Sequence, residues 1–101
     1  MGKLVRDLIP DIMRAEGLAP ETHILGDGEY LCSLFEKLIE ESRELQEAAP
    51  SRRLEEAADV WEVLTTLIDA LGLSMSDVEF QAHEKRTQRG GFSKRIWLGA
   101  R

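Results

Sequence analysis

The sequence predicts an all-α protein: one domain over residues 1–101, an antiparallel bundle of four helices completed by oligomerisation. Three observations lead there. Apolar residues recur at three- and four-residue spacing through the two longest segments. Glycines follow three of the four helical segments where a helix stop is wanted, at Gly17, Gly72 and Gly90-Gly91. Finally, 101 residues bury only a modest core, and an extended helical chain of that length often completes it with further copies.

In chain order, Asp7 is placed to cap a short first helix running to about Glu16, with Pro10 tolerated in its first turn and Gly17 after it. The segments Thr22–Leu25 and Arg95–Leu98 are rich in β-formers and could pair as a two-stranded ribbon joining the ends. Asp27 is the expected N-cap of a long second helix to about Ala48, whose stripe is Leu31, Leu34, Phe35, Leu38, Ile39 and Leu45. Pro50-Ser51 breaks the chain. A third helix follows to Leu71, apolar nearly all round and therefore expected to be central, with Trp61 in its core. Ser76 and Glu79 have capping-box spacing for a fourth helix that ends at Gly90-Gly91.

Composition narrows the function. Forty-three per cent apolar and 32% charged residues describe a globular chain. The single Cys32 excludes an internal disulfide and suits a reducing compartment, and its neighbours place it in the core. No apolar run approaches the roughly 20 residues of a membrane span. The opening MGKLVRDLIP is too charged for a secretory signal, so the cytoplasm is the expected location, with no membrane partner. A net charge of −6 speaks against nucleic acid as a partner. That charge is uneven: residues 36–62 hold nine acids and four bases, whereas residues 85–101 hold six bases and no acid.

The acids of the middle region fall where core residues are due. At about 100° per residue, Glu41 shares the stripe of Leu34 and Leu45, and Glu44 lies at its edge. Glu56 and Asp59 share a line with Val60, Val63 and Leu67, while Glu40 lies on a more polar side. Antiparallel packing across a short turn brings the two i, i+3 pairs face to face. Two carboxylates about 4 Å apart repel by roughly 4 kcal/mol at an effective dielectric of about 20. A solvated acidic surface is one reading of such a run. The coincidence of both pairs with apolar stripes favours the other, a cage for a hard divalent cation, Mg²⁺ or Mn²⁺. Nearby Lys and Arg are few and on flexible stems, and are expected to compensate poorly.

EESRE followed by EAAD resembles the EExxE…ExxD signature of the MazG-like, all-α nucleoside triphosphate pyrophosphatase superfamily, which includes phosphoribosyl-ATP pyrophosphohydrolases and dimeric dUTPases. KLVRDLIPDI and EKRTQRGGFSKRIWL resemble its small MazG-related branch, so the likeness runs over almost the whole chain. The resemblance implies Mg²⁺-dependent hydrolysis between the α- and β-phosphates of a nucleoside triphosphate, giving a monophosphate and pyrophosphate, in nucleotide-pool house-cleaning. It implies metal ligands at Glu41, Glu44, Glu56 and Asp59, with Glu40 beside them orienting the attacking water, and a homodimer or dimer of dimers. Only eleven residues separate Glu44 from Glu56, at the short end of the family's range, which leaves little room for elements that grip the base.

Lys85, Arg86 and Arg89 lie within about one turn near the end of the fourth helix. They could clamp an outgoing pyrophosphate, and equally could complement the helix dipole. Lys3 and Arg6 match the small-branch resemblance and could reach phosphates. Lys37, one turn before Glu41, fits a simple helix ion pair. His23 and His83 have no metal spacing. Two further readings stand beside the first: phosphoribosyl-ATP hydrolysis, and a helical interaction module without catalysis.

Overall fold

A computed structural model describes residues 2–99. The described residues are all-α: α1 (Ile9–Ala15), α2 (Asp27–Glu47), α3 (Arg53–Ala70) and α4 (Met75–Arg89), with one 3₁₀ turn (Pro50–Arg52) leading into α3. No helix among them is long and apolar enough to cross a membrane. The β-ribbon expected from residues 22–25 and 95–98 does not form; both segments are irregular, and no strand occurs among the described residues. Two short strands with no third element to pack on gain too little to order. Ile24 and Trp97, at least 90% exposed, bury nothing that would hold them together.

Helix ends explain most boundary shifts. α1 begins one residue after Leu8, without a side-chain cap, so Asp7 does not cap it. α2 is capped by Gly26, and Asp27, the expected cap, is its first residue, where with Glu29 it complements the dipole. Ser74 caps α4 by accepting the Asp77 backbone N–H at 3.4 Å, two residues before the expected Ser76. α1 and α3 both end in Schellman turns. Leu18 N–H donates to Met13 C=O and Gly17 N–H to Arg14 C=O; at α3, Leu73 N–H donates to Ile68 C=O and Gly72 N–H to Asp69 C=O. Gly17 and Gly72 take positive φ there, +87° and +75°, which other residues adopt at a cost.

α2 and α3 pack along their length as a hairpin, α4 contacts α3, and α1 packs against no other helix. Helices joined by so few residues and packed side by side run antiparallel. The four-helix bundle is therefore not closed within one chain. The radius of gyration is 17.5 Å, against about 13 Å for a compact domain of this size. Leu34 of α2 and Leu67 and Ile68 of α3 are the buried apolar residues among those described. The expected burial fails elsewhere: Leu54, Phe35, Ile39 and Leu71 are exposed, Trp61 is 56% exposed, and Cys32 is exposed. α3 is apolar nearly all round, but α2 covers only one side of it.

Candidate metal centre

The hairpin sets the register of the carboxylates. Glu41 stands six residues before the end of α2, and Asp59 six after the start of α3, each about 9 Å along its helix. Glu56 is one turn nearer the connection. Carboxylate oxygens of Glu41, Glu56 and Asp59 accordingly lie within 4.8 Å of one another, as do those of Glu40, Glu41 and Glu44. Glu41 belongs to both triads and joins them.

Burial grades across the site. Glu41 is 6% exposed, the one buried charged residue among those described. Glu56, Asp59 and Glu40 are half-buried and Glu44 is exposed. The i, i+3 reading thus located the two helix faces, but it gave Glu44 the same standing as Glu41. In the structure Glu44 sits with Glu40 and Glu41 on the outer side, and is not in the triad that spans both helices. Its carboxyl is raised above its ordinary pKa, first by the hydrogen bond it shares with Glu41. The Glu41 charge, lost hydration and the charges of Glu56 and Glu40 add to this.

Cations surround the cluster more fully than expected. Lys37 Nζ lies 3.4 Å from Glu40 Oε1 and 3.3 Å from Glu41 Oε1. Arg52 Nη2 lies 3.5 Å from Glu56 Oε1 and 3.3 Å from Glu55 Oε2. Arg6 Nη2 donates to Asp59 Oδ1 at 2.7 Å, and Lys3 Nζ lies 3.6 Å from Glu40 Oε1. The expectation that basic side chains would compensate poorly is corrected. The four pairs of Lys37 and Arg52 join sequence neighbours and are readable from spacing; the two of Lys3 and Arg6 come from the N-terminal segment, where spacing carries no signal.

Even so, the compensation stops at one oxygen of each inner carboxylate. Glu41 Oε2 and Glu56 Oε2 are buried and have no hydrogen-bond partner among the described residues. A buried unsatisfied acceptor costs about 1–3 kcal/mol, more when charged. Two such oxygens on facing helices, within a set made only of carboxylates, fit a hard cation that takes oxygen ligands, Mg²⁺ or Mn²⁺. His23 and His83 belong to neither triad.

Lys85, Arg86 and Arg89 line a separate open groove of about 800 Å³ with Gly90, Gly91 and Phe92. None of the three pairs with an acid among the described residues. Gly90, at φ +83°, turns the chain so that residues after α4 form the far wall.

The chain matches no family model, and no solved structure matches it. It is similar to an uncharacterized protein of Mycolicibacterium smegmatis, 48% identical over 48 residues, which make up 48% of this chain and 49% of that one. The likeness thus spans about half the length of the relative.

Proposed function

We propose that the protein is a Mg²⁺- or Mn²⁺-dependent nucleoside triphosphate pyrophosphohydrolase of the MazG-like kind, acting in nucleotide-pool house-cleaning. The observation that carries the metal half is the pair of partnerless buried oxygens, Glu41 Oε2 and Glu56 Oε2, on facing helices. The choice of reaction rests on the resemblance of EESRE…EAAD and the flanking segments.

Glu41, Glu56 and Asp59 would hold the cation, with Glu44 reaching it from the outer triad. When bound, the cation neutralises phosphate oxygens and acidifies water at the site. Glu40, half-buried beside Glu41, would orient the attacking water and take its proton. One P–O–P bridge breaks between the α- and β-phosphates, and the water oxygen completes one of the two products. Lys85, Arg86 and Arg89, without an acidic partner among the described residues, would supply positive charge for the outgoing pyrophosphate. The uncovered apolar faces of α2 and α3, with Phe35, Ile39 and Trp61, support a homodimer or dimer of dimers.

The test is pyrophosphate release from a panel of common, deoxy and modified nucleoside triphosphates, with and without Mg²⁺ or Mn²⁺. Metal-dependent release that Glu41→Gln abolishes is the expected result. Full activity in Glu41→Gln, or no release from any nucleotide, would overturn the reading.

A further inference from the structure

Residues 2–8 lie outside any helix and reach the hairpin by two ion pairs. Lys3 meets Glu40 on α2, and Arg6 meets Asp59 on α3. α1, which follows, packs on no other helix, so these pairs fasten a segment that helix packing does not hold. The segment therefore lies as a strap over the carboxylates, with one cation for each helix of the hairpin. In the same cluster Glu41 Oε2 and Glu56 Oε2 are buried and without hydrogen-bond partners among the described residues, and Glu41 is more than nine-tenths buried.

Both strap pairs are weak by their surroundings. The side chains are 66% and 33% exposed in Lys3–Glu40, and 57% and 32% exposed in Arg6–Asp59. Solvent-exposed pairs contribute roughly 0–1 kcal/mol. Their charge nonetheless sits where a divalent cation has to bind, and like charges repel at that range. A carboxylate that gains a divalent partner has less to gain from a guanidinium.

We propose that Arg6, assisted by Lys3, is a displaceable counter-cation of the carboxylate cluster: it competes with the divalent ion for Asp59 and, once displaced, binds the phosphates of the substrate. This rests on the metal-centre reading given above. The strap opposes loading of metal alone and favours metal arriving together with a polyphosphate, because only then do Arg6 and Lys3 exchange carboxylates for new anions. A guanidinium released from Asp59 would stay beside the carboxylate cluster, and its planar fork suits phosphate oxygens. Metal and nucleotide then bind with positive coupling, and the coupling is reciprocal.

The experiment is calorimetric titration of the full chain with Mn²⁺ alone, then with the α,β-methylene analogue of ATP at saturating Mn²⁺. Wild type, Arg6→Gln, Arg6→Lys and Lys3→Gln are compared. Arg6→Gln is expected to bind Mn²⁺ alone about two- to fivefold more tightly, the size of an exposed pair. It is expected to bind the analogue about tenfold more weakly, the size of a lost charged phosphate contact. Arg6→Lys should keep most of both properties, and Lys3→Gln should shift them in the same direction by less. Arg6→Gln binding Mn²⁺ no more tightly than wild type would overturn the competition. Unchanged analogue binding would overturn the phosphate role. Failure of wild type and Arg6→Gln alike to bind Mn²⁺, alone or with the analogue, would bring down the metal centre, a result separate from either.

Discussion

Lys37 Nζ stands 3.3 Å from Glu41 Oε1 and leaves Glu41 Oε2 bare. One cation thus satisfies half of the most buried carboxylate in the chain. Lys37 is itself only 15% exposed and also reaches Glu40. Replacing it by Met keeps the apolar stem and removes the charge. Lys37→Met is expected to cost roughly 1.5–3 kcal/mol in EDTA, the size of a charged hydrogen bond. With saturating Mn²⁺ the loss should shrink, since the ion supplies the missing charge. Urea unfolding in both conditions checks this, and an equal loss in the two would contradict a shared role.

Glu44 carries a pH dependence of known sign. Its folded pKa is raised, chiefly by the hydrogen bond and charge of Glu41. Between the unfolded and folded values the folded state binds more protons, so stability falls as pH rises through that window. The metal-free protein should therefore lose stability as pH climbs out of the ordinary carboxylate range. Glu44→Gln removes that component, and the difference between variant and wild type isolates it. A difference that did not change with pH would refute the raised Glu44 pKa.

Arg86 and Arg89 lie in the last turn of α4, where they complement the helix dipole, and they also line the groove. The two roles separate by measurement. Loss of dipole pairing alone should cost about 0.3–1 kcal/mol of stability per residue and leave KM unchanged. A phosphate clamp predicts a rise in KM of roughly tenfold for Arg86→Ala, with Mn²⁺ affinity untouched. Steady-state kinetics beside thermal unfolding decides between them.

Trp61, half exposed on a helix that is apolar nearly all round, belongs to a face that one chain leaves uncovered. Sedimentation velocity should show a dimer or tetramer, with a melting temperature that rises with protein concentration. Trp61→Glu places a charge on that face and should shift the population toward the monomer. A wild-type chain that sediments as a monomer at every concentration would contradict the association.

Local periodicity made much of the site legible. The placing of Glu41 on the stripe of Leu34, and of Glu56 and Asp59 on that of Leu67, follows from helix geometry within a few turns. The structure does bury Leu34, Glu41 and Leu67 together. Caps were readable only to within one or two residues, because Gly26 and Ser74 compete with Asp27 and Ser76 for the same helix ends. Burial of α3 was misread for a different reason. An apolar face reports what a helix would gain from cover, and Trp61 and Leu54 have none in the single chain.

By itself, the sequence determined the four helices, their approximate ends and the carboxylate faces, since these depend on contacts between residues three or four apart. Only the tertiary structure decided that Arg6 reaches Asp59 across 53 positions, and that Lys3 meets Glu40. It alone decided which oxygens of Glu41 and Glu56 go without a partner. Long side chains from an irregular segment carry no periodic signature. Their partners are chosen by where the folded hairpin concentrates negative charge, and no single segment encodes that field.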